Sequence, residues 1–506
     1  MLKGLAIITL STLLLLVGST DVKAADSKFS TSYKTTYDVD ISGLTTVTSE
    51  ISLTNKSANF YASNYVLTLS FPHILEVTAY DRLGNCPVTL NGSEIKVLFN
   101  DKVVGLNSIL HWTLIYKTPD LAIKKGRIWE VDLPKVEGSI DLADYVTVLK
   151  VPQSFGDDAQ MANTAISSGV AGSKNFYVFS KNLLLNQGVA AVFGDYQVFK
   201  YTLKYHLKNL NLLPHFEEIT LPPGVANYQE TFITSLSPRP ISSRVDSDGN
   251  LLAKYFLWWG QDLEITLDGE AKVYNRQINP FVGGNVTAIT SNLKYLTNAA
   301  SFWEVTDPII KKIASDLYNP TKTVSQNAQN IYTYVVATLK YNNAKGFDNR
   351  LGAVATLKTP DNAVCTEFSD LFVALARSNG IPARELEGYA ATNQDNRPIL
   401  NDVLHAWAEY YDPVFGWVAV DPTWGNTAKT DFFTHLDANH LVFVIHGVSP
   451  VSPAPAGAFK LDITEKDQVA VVFADAVTTD ATKVVPLSVD NSLGTKIIRF
   501  LAGISN

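Results

Sequence analysis

The apolar residues of this 506-residue chain change period near residue 300, which restricts it to a fold where sheet precedes helix. Upstream, Tyr37, Val39 and Ile41 alternate with Thr36, Asp38 and Asp40. Phe199, Tyr201, Leu203, Tyr205 and Leu207 likewise alternate with Lys200, Thr202, Lys204, His206 and Lys208. Successive strand residues face opposite ways, so these runs predict antiparallel strands with one wet face, where His206 needs no special role. Ser42-Gly43, Leu83-Gly84-Asn85 and Asn91-Gly92 supply turns between short strands, the pattern of a sandwich. Downstream, Asp307-Pro308 can cap a helix carrying Ile309, Ile310, Ile313 and Leu317. A second helix is expected over about Ser325–Lys340, with Ala328, Ile331, Val335 and Leu339 on one stripe.

The expected class is therefore α+β, with two all-β, sandwich-like regions ahead of a mixed core. The expected units are 25–135 and 136–290 (both β-rich), 291–448 (mixed), a Pro/Ala linker at 449–458 and a short β-rich tail at 459–506. Residues 1–24 read as a secretory signal: Lys3, then a mainly apolar stretch of 13 residues from Leu5 to Val17, then Ala24 at the cleavage point. An uncleaved anchor is the competing reading, but 13 residues are too few to span a bilayer. Export is expected.

The formal charge is −8, and removing Lys3, Lys23 and Asp21 with the leader gives −8 − 1 = −9. An acidic chain with no basic run excludes nucleic acid as a partner. Only two cysteines occur, Cys86 and Cys365, 279 positions apart. They fall in different expected units, so a disulfide is the weaker reading and a chemical role for Cys365 the stronger.

Cys365 precedes a helical pattern, Thr366 to Asn379, with Phe368, Leu371, Phe372 and Leu375 on one face and Gly380 as its stop. At a helix N-terminus a thiolate is stabilised by free N–H groups and the positive dipole end, which predicts a lowered thiol pKa. His405-Ala406-Trp407-Ala408-Glu409 reads as a strand, and Trp417 to Asp421 as its return strand after Gly416. A hairpin over that 16-residue spacing can bring Asp421 to His405, to orient an imidazole whose other nitrogen faces the thiol. Asp412, which also precedes a proline, is a rival orienter but sits at the hairpin turn. Trp407, Trp417 and Trp424 are expected in the core or as cleft walls. His435, His440 and His446 have no spacing typical of a zinc site.

Val364-Cys365-Thr366-Glu367-Phe368, the run Leu371 to Arg384 with Gly380-Ile381-Pro382, Gly388-Tyr389, His405-Ala406-Trp407-Ala408-Glu409 and Gly416-Trp417 through Asp421-Pro422-Thr423 resemble the transglutaminase-like superfamily. The resemblance covers about 300–445 and implies a papain-like core: a Cys-bearing helix packed on an antiparallel sheet that carries His and Asp. By this match Cys365 is the nucleophile, His405 the base and Asp421 the orienter. The family's animal members cross-link glutamine to lysine and depend on calcium, whereas many bacterial relatives look more like amide hydrolases. Here Asp246-Ser247-Asp248-Gly249-Asn250 has its glycine in the fourth place, not the sixth an EF-hand needs, and reads as a hairpin turn. No metal or cofactor is expected. The tryptophan that supports the oxyanion in the animal enzymes has no match, and Tyr341 is the candidate substitute.

The expected function is thus thiol-dependent acyl transfer on peptide or protein amides, by hydrolysis or transamidation. The competing expectation is a surface scaffold or adhesion protein with an idle core. In either case the β-rich regions are candidates for cell-surface association.

Overall fold

The computed structural model describes residues 28–136, 141–161, 165–186, 188–345, 349–390, 405–428, 430–455, 469–478 and 492–501. The expected signal segment and most of the expected β-rich tail lie outside these residues, among them the run Lys483–Leu487, which reads as strand. No helix among the described residues is long and apolar enough to cross a membrane.

Alternation in the N-terminal part resolves into strands whose apolar side chains are buried. Phe29–Val39 pairs antiparallel with Thr45–Asn55 over its whole length. Tyr37 and Val39 are buried, but Ile41 is 78% exposed, against the alternation expected. The strand stops at Val39 because the Asp40 carboxylate accepts from Ser42 N and Leu44 N and turns the chain.

The boundary expected at 135/136 is corrected by the sheet. Phe29–Val39 also pairs in parallel with Leu142–Pro152, and the eight-stranded sheet continues through Lys174–Phe179. One hydrophobic core then joins Tyr37 to Phe193. The expected unit ended inside a sheet because a parallel partner arrives only after a long crossover, which leaves no local sequence mark.

A second β layer follows. Tyr196–Lys208 pairs with Asp262–Tyr274 over 13 residues, and Val469–Ala474 adds itself to its other edge. Within the tail, Val469–Ala474 is therefore an edge strand of this layer, while Leu493–Leu501 is helical and not β as expected. The Pro/Ala stretch is docked where it is described: Arg350 Nη1 donates to Pro450 O at 2.8 Å and His446 Nε2 to Pro453 O at 2.8 Å. The run Asp246–Asn250 is the hairpin turn expected, between Ser242–Val245 and Leu251–Leu257, where Gly249 has φ +97°.

The mixed core begins with α1 (Pro308–Leu317), capped by Asp307, whose carboxylate accepts from Ile309 N at 2.8 Å. Helix α2 (Val324–Thr338) starts in a Thr323/Gln326 capping box. After α3 (Ala353–Lys358) comes α4 (Cys365–Ser378), then β1 (Ala383–Ala390), β2 (His405–Asp412), β3 (Gly416–Val420), α5 (Pro422–Ala428) and β4 (His440–His446). The sheet order is β3-β2-β1-β4.

Helix α4 is buried on nearly every side, not on one face as the apolar spacing suggested. It ends in a Schellman motif: Gly380 (φ +72°) donates to Arg377 O, and Ile381 N to Ala376 O. Its charged residues are paired. Arg377 donates to the carbonyls of Ala383, Asn298 and Gly447, and Asp370 accepts from Trp303 Nε1 at 2.8 Å. A single hydrophobic core runs from Phe199 in the second β layer to Ile445 in β4, so layer and mixed core are welded together. Polar contacts reinforce the seam: Asn250 accepts from Ile445 N, and Asp248 from Gly447 N and Val448 N.

Candidate active site

Cys365 is the first residue of α4. The helix start is held by Glu367, whose carboxylate accepts from Val364 N at 2.9 Å and, across the bend, from Leu351 N at 2.9 Å. Lys345 Nζ stands 2.6 Å from the same carboxylate. The thiol accepts the backbone N–H of Ala406, the residue after His405, so α4 and β2 meet at the site.

The helix position predicted a lowered thiol pKa, and the structure reverses that expectation. Cys365 is 1% exposed, and burial pushes its thiol well above the ordinary value. The Ala406 N–H opposes this, while Glu387, Glu385 and Asp421 add to it. A helix terminus contributes fractions of a charge, whereas complete desolvation of a thiolate costs more.

His405 opens β2 and lies between two indoles, with ring centroids 5.9 Å from Trp407 and 5.5 Å from Trp424 at interplanar angles near 20°. Both tryptophans are fully buried, and Trp417 packs instead under the Arg384 guanidinium. His405 Nε2 stands 2.9 Å from Asp421 Oδ2. Its Nδ1 is buried and makes no hydrogen bond. Opposite His405 on β1 is Gly388, and any Cβ there would collide with the Leu441 carbonyl. Glycine at that position lets β1 and β4 close beside the imidazole.

Asp421 ends β3. Its Oδ1 accepts from Thr423 N and Trp424 N at the start of α5. Burial would raise its carboxyl, but His405 and His440 hold it well below the usual range. Asp412, the rival orienter, is taken up elsewhere: it accepts from Ser325 N and Oγ, Gly284 N and Val414 N. It ties the hairpin to α2 and does not reach His405.

Tyr341 forms an isolated parallel bridge with Ala363, two residues before Cys365, and its ring packs against the core. The structure thus puts its backbone beside the Cys365 segment.

The three histidines considered for zinc diverge. His435 Nδ1 meets Thr434 Oγ1, while His446 faces Glu385 and Glu387 at 3.6 Å. His440, which spacing did not single out, joins the site: Nε2 lies 3.1 Å from Asp421 Oδ2 and Nδ1 2.8 Å from Asp437 Oδ1. The only advance signal was the turn Asp437-Ala438-Asn439-His440, where Asp437 also accepts from Asn439 N.

Among the described residues, two clusters of ligand-type residues occur, His405–Asp421–His440 and Glu385–Glu387–His446. In the first, the donors are joined through hydrogen bonds, so protons occupy the shared space. In the second, Arg350 already serves as the cation: it bridges Asp370 and Glu385, with Nη2 2.6 Å from Glu385 Oε2.

The transglutaminase-like superfamily model matches residues 311–422. The YebA protein of Bacillus subtilis is 30% identical over 128 residues, 22% of this chain and 17% of that protein. The protein-glutamine gamma-glutamyltransferase of Pseudomonas aeruginosa is 36% identical over 66 residues, 12% of this chain and 10% of the relative. The chain therefore spans well under half the length of these relatives. Among solved structures, a candidate cysteine protease from Cytophaga hutchinsonii overlaps 55% of this chain and 98% of its own at 15% identity, TM-score 0.36. The periplasmic domain of TgpA from Pseudomonas aeruginosa overlaps 45% and 88% at 17% identity, TM-score 0.27. Residues 311–422, which hold Cys365, His405 and Asp421 at their meeting point, are a transglutaminase-like superfamily domain set in a β-rich α+β chain.

Proposed function

We propose that the chain is an exported, thiol-dependent acyl-transfer enzyme acting on peptide or protein amides. The observation that carries this reading is His405: Nε2 is tied to Asp421, and Nδ1 is free on the residue next to the N–H that meets the Cys365 thiol. In that tautomer Nδ1 takes the thiol proton as sulfur attacks the amide carbonyl. The C–N bond then breaks, Nδ1 returns the proton to the leaving amine, and a thioester remains on Cys365. Water or a second amine attacks the thioester and regenerates the thiol. Free N–H groups at the start of α4 are suited to the oxyanion, with Tyr341 as the proposed additional support. Because the resting thiol is raised by burial, proton transfer to His405 must accompany attack. Export is supported by the Lys3, Leu5–Val17 and Ala24 pattern.

One observation favours a second reading, a non-catalytic surface scaffold: Cys365 is 1% exposed. The two are separated by incubating the mature chain with a peptide library, with and without a primary amine, and reading products by mass spectrometry. Hydrolysed amides or amine adducts that vanish in Cys365→Ala support the enzyme. A wild-type thiol that neither forms an acyl-enzyme nor reacts with iodoacetamide sinks it and leaves the scaffold.

A further inference from the structure

We propose that His440 is a positioning residue of this site, an imidazolium clamped between Asp421 and Asp437 that aligns Asp421 for His405 and brings a fixed positive charge into the pocket. The proposal rests on the acyl-transfer reading for its purpose, though not for its test.

Proton counting carries the argument. His440 Nε2 is 3.1 Å from Asp421 Oδ2 and Nδ1 is 2.8 Å from Asp437 Oδ1. An ionised carboxylate only accepts, and a neutral imidazole has one N–H to give. Both bonds exist together only if the imidazole holds two protons or one acid is protonated. Asp421 has no room for that proton: Oδ1 accepts from Thr423 N and Trp424 N, and Oδ2 faces His405 Nε2. Asp437 Oδ1 accepts from Asn439 N as well as facing His440. Imidazole is a stronger base than either carboxylate, which assigns the second proton to His440. Burial alone would drive it off, but Asp437 and Asp421 raise the group to about 9.

The surroundings preserve the clamp. Rings of Trp424, Trp407 and Phe432 pack around His440 at 4.3, 5.1 and 6.3 Å between centroids. The titratable groups that face it are Asp437 on the turn before it, Asp421 at the end of β3, His405 on β2, and Tyr228, whose hydroxyl donates to the His440 carbonyl at 2.7 Å. Asp421 thus has two imidazoles on one oxygen and two backbone donors on the other, which leaves it no freedom to turn. With His440 charged, the field of Asp421 at His405 is offset.

The test is the pH profile of Cys365 alkylation by iodoacetamide, which needs no substrate. Removing a positive charge makes the Cys365–His405 pair hold its protons more tightly. At the 5.9 Å ring separation of His405 and His440, His440→Gln should move both limbs of the profile to higher pH by about one to two units. A slower reaction with unmoved limbs would mean packing alone and overturn the proposal. Should the variant not fold, ring ¹⁵N shifts of histidine-labelled wild type decide the matter. Two protonated ring nitrogens on His440 at neutral pH are expected, and a neutral tautomer overturns it. An inert wild-type thiol would defeat the acyl-transfer reading while leaving the nitrogen shifts to judge His440.

Discussion

Asp421 Oδ2 sits 2.9 Å from His405 Nε2, and that one contact selects the imidazole tautomer whose free nitrogen, Nδ1, can act on a thiol. Asp421→Asn keeps the shape but presents an N–H to a ring that must donate. Turnover of a responsive amide should fall by about 10³–10⁴-fold, with little change in KM. Steady-state kinetics on the peptide found in the library screen check this, and a loss under tenfold would place the orienter elsewhere.

Asp412 gives the matching control. It is buried and accepts from Ser325, Gly284 and Val414. Asp412→Asn should cost about 1–3 kcal/mol in urea unfolding, because backbone donors lose a charged acceptor. Iodoacetamide labelling of Cys365 in the folded variant should keep the wild-type pH profile.

Arg350 joins α4 to β1 from a loop: Nε lies 2.9 Å from Asp370 Oδ2 and Nη2 2.6 Å from Glu385 Oε2. Burial would raise Asp370, and even against Arg350 its carboxyl rests at about 7. Arg350→Met leaves buried Asp370 without its cation and Glu385 with only His446, 3.6 Å away, which should destabilise the fold by about 3–5 kcal/mol. The loss should be smaller in acid, where both carboxyls take protons. Chemical denaturation at two pH values measures it, and equal losses at both would contradict the assignment.

Stability should also report the buried histidines. His440 and His446 are each held at about 9, against an ordinary 6.5, by Asp437 and Asp421 in one case and Glu387 and Glu385 in the other. Groups raised on folding stabilise the native state fully below 6.5, and that contribution is lost as pH climbs through 9. Unfolding free energy should therefore drop by a few kcal/mol over that window. Thermal melts in buffers across it should show a falling Tm, and a flat profile would rule out charged histidines at these positions.

Much of the architecture was readable locally. Asp307-Pro308, the Gly380 stop and the alternation of Phe199 to Leu207 are short-range signals, and each produced the element expected of it. Ile41 was misread because a side-chain turn at Asp40 overrode the alternation. The parallel partner of the first strand was missed because its pairing residues are more than a hundred positions away.

The sequence by itself determined the α+β class, the order Cys365, His405, Asp421 and the hairpin that joins the last two, since all of these depend on periodicity and neighbours. Tertiary structure alone decided that Asp412 serves α2, that His440 reaches Asp421, that Arg350 offsets Asp370 and Glu385, and that burial raises the Cys365 thiol. These are matters of desolvation and of contact across separate elements. A charge's surroundings in three dimensions, which set its energy, have no counterpart in the local pattern of the chain.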